Sequence, residues 1–260
     1  MVNSMQNSKI LFIVEGENDE VAFVKRLLAK CYANHHYEIY SYRCNIHVLA
    51  QTLINEYPSF EDDEVDIQLI LKSKEVENSK RRILSQKYQD VFLIFDFDPQ
   101  HVNPHFDTII RMLDYFSDSA DHGKLFINYP MMQSYKHFSI LPDDSFMERR
   151  VSMDECRIYK RLVGEMSAFT DINKYSYITF VSLIVHHLRK ANYILTGNYV
   201  IPSYEEYVSW SGSELFMRQW HLLESENYFH VLNTSIFLAI DFRPHDFLKV
   251  VSKRTSDFDI

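Results

Sequence analysis

The chain has 260 residues, 46% of them hydrophobic, with only five glycines and seven prolines. That length and apolar content support a sizeable core and exclude a disordered chain, while the scarcity of Gly and Pro argues against an all-β protein built on tight turns. A formal net charge of −9 excludes binding to nucleic acid through a broadly basic surface, so any such contact needs a local basic patch, a metal or a partner.

The first element is the apolar run 9–14, short and rich in Ile, Val and Phe, which predicts a buried parallel strand. It stops at Glu15-Gly16. Helical spacing of Val21, Ala22, Leu27, Leu28 and Cys31 follows, with Asn18 or Asp19 placed to cap it. Residues 38–43 read as a second strand, and Ile46, Leu49, Ala50, Leu53 and Ile54 as a second helix. The alternation of Val65, Ile67, Leu69 and Leu71 fits either a half-exposed strand or the start of a helix. Residues 75–88 have helical character and carry the basic cluster Lys80-Arg81-Arg82.

Residues 91–95 predict a strand that ends in Asp96-Phe97-Asp98. A helix is expected over 106–116 and a fourth strand over Leu125, Phe126, Ile127 and Tyr129, stopped by Pro130. This order of elements predicts an α/β fold with a mostly parallel sheet flanked by helices. The character changes near Leu141-Pro142-Asp143-Asp144. Helices are expected over 157–166, 177–194 and 214–228, followed by the strongly apolar stretch 231–240. The expected organisation is therefore a catalytic domain over 8–144 and a C-terminal helical region over 145–260 packed on it.

Cys31, Cys44 and Cys156 are far apart, without CxxC or zinc-type spacing, which predicts reduced thiols. The polar start lacks the apolar centre of a signal peptide, and no apolar stretch reaches membrane-spanning length. A cytoplasmic protein with no membrane partner is expected.

Two strands that stop at carboxylates place those carboxylates at the carboxyl edge of the sheet, where open α/β folds put their chemistry. Asp96 and Asp98, two apart, would face the same side of a strand. Asp19 lies about one helical turn past Glu15 and would point back at the same cleft, with Gly16 allowing a sharp turn between strand and helix. Converging carboxylates repel unless a cation sits between them, which points to a hard divalent ion, Mg²⁺ or Mn²⁺, bound by Glu15, Asp19, Asp96 and Asp98. One or two such ions suit displacement at a phosphodiester. Lys80, Arg81, Arg82 and Lys136 are the cations placed to meet a nucleic-acid backbone, although a charge run is also the composition of a solvated helix face.

Val14-Glu15-Gly16 with Asp19, followed by Phe95-Asp96-Phe97-Asp98 after an apolar strand, resembles a Toprim domain, the catalytic fold shared by topoisomerases, bacterial primases, recombination proteins and OLD-type nucleases. The resemblance covers about residues 8–140. It implies Mg²⁺ binding or proton transfer at Glu15, Asp96 and Asp98, and metal binding at Asp19. The family often carries a glycine between the glutamate and the DxD pair, where this chain has Arg43-Cys44, and Gln133 stands where an acidic residue is expected. The segment Tyr129-Pro130-Met131-Met132-Gln133-Ser134-Tyr135-Lys136 and the later Val231-Leu232-Asn233 resemble standalone Toprim effectors of anti-phage defence, including the Toprim partner of the PARIS system. That resemblance implies a Mg²⁺- or Mn²⁺-dependent endonuclease, acting on tRNA or DNA, regulated by a partner ATPase and open to homodimer formation. A phosphatase or a nucleotide-transferring α/β enzyme, and a catalytically degenerate Toprim binding module, are the alternatives the same pattern leaves open.

Overall fold

The structure is a computed structural model that describes residues 9–32, 35–62, 64–241 and 247–248. Residues 8, 33–34 and 63 of the expected first domain, and 242–246 and 249–260 of the expected second, lie outside the described residues. The first half runs β1 (Lys9–Val14), α1 (Asp19–Cys31), β2 (His36–Ser41), α2 (Ile46–Glu56), α3 (Ile67–Lys74), α4 (Asn78–Leu84), β3 (Asp90–Asp96), α5 (Phe106–Tyr115), β4 (Ser117–Asp118) and β5 (Gly123–Asn128). These strands form one sheet in the order β2-β1-β3-β5-β4. The first four are parallel and β4 is antiparallel at the edge.

Helices cover this sheet, so β1 and β3 are buried on both faces, which is why they read as continuous apolar runs rather than alternating ones. The α/β architecture, mostly parallel and flanked by helices, is the one the element order predicts. The details differ in physically intelligible ways. β2 ends at Ser41, before the expected 43, because Arg43 adopts a left-handed φ of 65° that no strand can continue. The ambiguous stretch 65–71 enters helix α3, whose first turn is capped by the Asp66 carboxylate accepting from the Gln68 and Leu69 amides. The helix expected over 75–88 is shorter, limited to α4.

The second half contains β6 (Arg150–Ser152), α6 (Met153–Cys156), α7 (Tyr159–Met166), α8 (Tyr177–Thr196), α9 (Tyr204–Ser209), α10 (Gly212–Glu226), β7 (Tyr228–His230) and α11 (Leu238–Asp241). It is mainly helical, as expected, but β6 and β7 pair as an antiparallel ribbon that periodicity does not announce. The longest helix, α8, starts at a Ser176–Thr179 capping box and stops at Gly197, whose φ of 83° suits glycine.

The apolar stretch 231–240 is not one helix. It stays extended through Leu232, which exchanges backbone hydrogen bonds with Tyr129 (2.7 and 2.9 Å), and becomes helical only at the 3₁₀ turn 235–237 and α11. Asn233 imposes this break. Its side-chain Oδ1 accepts from the Ile236 amide (3.0 Å) and the Ser235 hydroxyl (2.9 Å), while its Nδ2 donates to the Met132 carbonyl (3.0 Å) and Ser134 Oγ (3.2 Å). His187 on α8 accepts the Asn233 amide at 3.1 Å. A fully buried hub of this kind ties the turn after β5 to the C-terminal half, and the hydrophobic core runs through both halves without interruption.

Asn233→Ala leaves several buried partners unsatisfied, so it is expected to lower unfolding stability by about 3 kcal/mol. Urea denaturation measures this, and a loss under about 0.5 kcal/mol would mean the hub is not a structural lock.

Candidate metal centre at the carboxyl edge of the sheet

β1 and β3 are neighbours in parallel register, with Val14 opposite Ile94. Their carboxyl ends therefore emerge together. The Glu15 amide donates to the Ile94 carbonyl at 3.1 Å, extending the ladder by one residue, and Glu15 Oε2 then accepts the Asp96 amide at 3.1 Å. Asp96 is half-buried as a residue, but its Oδ1 is fully enclosed and has no hydrogen-bond partner. Burial is the main force pushing the Glu15 carboxyl up to about 8, aided by the charges of Glu20 and Asp98 and opposed by the Asp96 amide. Burial likewise drives Asp96 well above the carboxylate range, with Glu15 and Glu20 adding to it and the Met132 amide and Asn128 side chain opposing it. Both groups favour the protonated form until a positive charge arrives.

Glu20 is the acid that sequence reasoning passed over. It lies in the first turn of α1, buried, with its own pKa raised chiefly by that burial. Gly16 makes room for it: a Cβ there would stand 2.5 Å from Glu20 Oε2. The expected reason for Gly16, a sharp turn, is replaced by this close approach, because Gly16 is not among the positive-φ glycines, Gly123 and Gly197. The spacing Glu15-Gly16 with Glu20 one turn later was the available signal.

Asp19 lies on the same rim. It accepts from Gln133 Nε2 (2.5 Å) and from the Lys160 ammonium (2.7 Å), while neither Asn18 nor Asp19 caps α1 through its side chain. Burial acts to raise its pKa, but Lys160, Gln133 and the nearby Lys136 outweigh that and hold it below its ordinary value. Lys160, on α7, feels Asp19, Glu20 and Asp96 together and has its own pKa raised, the hydrogen bond to Asp19 being the main cause. Lys160 was not recognisable in sequence, since it comes from the opposite half of the chain. Lys136 is half-buried, which lowers its pKa against the pull of Asp19.

Asp98 behaves differently from the strand expectation. β3 ends at Asp96, and Asp98 takes a φ of 42°, so the alternation that would align the two side chains is broken. Asp98 Oδ2 accepts from Asn45 Nδ2 at 2.9 Å, and His47 Nε2 lies 3.0 Å from the Asp98 carbonyl. Its charge still reaches Glu15. Glu15 and Asp96 are thus in direct contact, Asp19 joins them through the shared Lys160, and Asp98 approaches from the α2 side.

The basic cluster of α4 divides. Lys80 turns back to the Ser41 carbonyl (3.2 Å) and Glu17 (3.5 Å), whereas Arg81 and Arg82 are exposed. Arg43 pairs with the same Glu17 and donates its amide to the Glu15 carbonyl at 2.9 Å. Its left-handed φ is the conformation glycine adopts most readily, so this position keeps a glycine-like backbone without the glycine.

Among the described residues, no three His, Cys, Asp or Glu side chains are gathered as a preformed metal cage. Mg²⁺ does not require one, since it retains several waters and is commonly held by one or two carboxylates. The orphaned Asp96 Oδ1 beside Glu15 fits that mode of binding. No protein-family model matches the chain, and neither a curated protein nor a solved structure is significantly similar to it. Among the described residues, no helix is long and apolar enough to cross a membrane.

For Glu15 the folded pKa is raised from 4.5 to about 8, so the folded state binds the extra proton and stability is lost as pH climbs through that interval. The thermal midpoint of the metal-free protein is expected to fall over this range, and the fall should flatten in Glu15→Gln and on adding Mn²⁺. An unchanged slope in both cases would refute the assignment. Lys160→Ala should raise the Asp19 pKa, which carboxyl NMR titration reads directly.

Proposed function

We propose that the chain is a Mg²⁺- or Mn²⁺-dependent endonuclease of the Toprim type that cleaves phosphodiester bonds in tRNA or DNA. The observation that carries this reading is the contact between Glu15 and Asp96, two desolvated acids at the ends of adjacent parallel strands. Glu15 and Asp96 would hold the ion, with Asp19 and Asp98 on its flanks. A bound divalent ion would neutralise charge on the phosphodiester and lower the pKa of an attacking water.

The protein groups have separate tasks. Glu15 Oε2 is anchored to the Asp96 amide, which leaves Oε1 to meet the ion, and the proton that burial holds on Glu15 in its absence would be released as the ion binds. Lys136 and Lys160 meet the substrate phosphate at the Asp19 side, and Gln133 orients Asp19. With a net charge of −9, attraction for nucleic acid must come from local cations, and this rim and the exposed Arg81 and Arg82 supply some of them.

The role in phage defence and the partner ATPase rest on the resemblance of segments 129–136 and 231–233. Support comes from their packing on one another: Tyr129 pairs with Leu232, and Asn233 holds Met132 and Ser134. A second reading, a binding module without catalysis, is favoured by one observation, the Lys160 ammonium already seated on Asp19. Calorimetry with Mn²⁺ separates the two, because a degenerate site binds the ion poorly.

The decisive assay uses purified protein and Mn²⁺ with plasmid, single-stranded DNA and total tRNA. Glu15→Gln and Asp96→Asn should each reduce cleavage at least ~10²-fold, the usual contribution of a positioned acid or base. Cleavage equal to that of the parent in both variants would end the proposal. Lys136→Ala and Lys160→Ala should weaken substrate binding and flatten its salt dependence.

A further inference from the structure

A second concave site flanks the sheet laterally, on the side of β5 that faces away from β3. A cavity of about 570 Å³ opens beside β5, between the sheet edge and α9–α10. That volume is within the range of small-molecule sites. Aromatic side chains wall it: Tyr207, Trp210 and Phe237 form a continuous group, with ring centroids 5.3 Å apart for Tyr207–Trp210 and 6.3 Å for Trp210–Phe237.

The floor of the cavity is the edge of a strand. The odd-numbered residues of β5 turn their backbone groups away from β3, since the Phe97 amide bonds to the even-numbered Asn128 carbonyl on the β3 side. Most of the outward groups are taken. The Leu125 amide donates to the Phe116 carbonyl (2.9 Å), the Ile127 carbonyl accepts the Thr234 hydroxyl (2.8 Å), and Tyr129 pairs with Leu232. Between them stand the Leu125 carbonyl and the Ile127 amide, which face away from β3 and lie past the pairing with β4, whose register stops at Lys124. On an extended strand these two groups, of residues i and i+2, project side by side from one edge.

One acceptor and one donor, adjacent and walled by aromatic rings, are what the amino-substituted edge of a planar nitrogen heterocycle complements. A peptide strand is a poor match, because β4 closes one end of the open stretch and Leu232 closes the other. Phosphates are a poor match too. Asp114, Asp118 and Asp241 line the cavity, and Lys124, the one lining cation among the described residues, is paired with Asp241 at 2.9 Å.

We propose that this cavity binds a neutral adenine-type base or nucleoside. The ring amino group donates to the Leu125 carbonyl, the neighbouring ring nitrogen accepts from the Ile127 amide, and the ring plane lies against Trp210. The site is independent of the acidic rim, and its test requires no cleavage activity.

Isothermal titration of the full chain with adenosine, N6,N6-dimethyladenosine and ATP tests this. Adenosine should bind saturably. The dimethyl analogue, which lacks the donor, should bind about tenfold more weakly, equivalent to one lost hydrogen bond. ATP should bind more weakly than adenosine because its phosphates meet the three carboxylates. Trp210→Ala should weaken adenosine binding by a similar factor. Absence of saturable adenosine binding up to about 1 mM, equal affinity for the dimethyl analogue, or tighter binding of ATP would each overturn the proposal. The ligand series decides the matter even if the Trp210 variant folds poorly.

Discussion

Two carboxylates held side by side in a desolvated place are under electrostatic tension that only a proton or a cation relieves, and this tension organises one whole edge of the molecule. Glu15 and Asp96 cannot move apart, because each continues a strand and the strands are neighbours in fixed register. The Asp96 amide gives Glu15 one favourable contact, but burial outweighs it. Glu20 adds a third negative group that Gly16 allows to approach closely. A protein that served only stability would place apolar groups here, since buried unpaired charge costs several kcal/mol. Glu15, Asp96 and Glu20 all have raised pKa values here, burial being the first cause in each case.

The second half of the chain completes that edge. Lys160 reaches Asp19 from α7, and the turn that carries Gln133 and Lys136 is held by Asn233 and Leu232 from beyond residue 230. Buried polar groups on α8 reinforce the anchoring. His187 receives the Asn233 amide, and the Lys190 ammonium donates to the Phe146 and Arg149 carbonyls at 2.6 Å each. Burial pushes both His187 and Lys190 towards their neutral forms, with neighbouring positive charge adding to the effect. The helical region is therefore a scaffold whose interior contacts set the position of groups on the rim.

Lys160 also frames how the rim responds to its surroundings. Its ammonium satisfies part of the negative field that a divalent ion would satisfy more fully. Asp19, paired with it, stays ionised, whereas Glu15 and Asp96, lacking a cation of their own, are driven towards protonation. Adjacent acids thus differ in protonation because Glu15 and Asp96 are more deeply desolvated than Asp19, which also has Lys160, Gln133 and Lys136 to hold its charge.

Continuous apolar runs ending in acids were enough to identify β1 and β3, their parallel arrangement under helices, and Glu15 with Asp96 as partners at one edge, because strand burial and strand polarity are local properties of the sequence. The helical character of the second half was legible for the same reason, through the periodicity of Phe180, Leu183, Ile184 and Leu188 on α8. Tertiary structure alone decided the rest. Asp98 leaves the alternation through a left-handed backbone and turns to Asn45, a departure invisible to a period-two pattern. Glu20, Gln133 and Lys160 enter the site by proximity across 114 and 141 positions of chain in the last two cases, and no local pattern encodes such distances. The break at Asn233 and the open segment of β5 likewise depend on which groups meet in space. Amphipathic pattern records what each segment must bury; which charged and hydrogen-bonding groups then face one another is settled only when the segments pack.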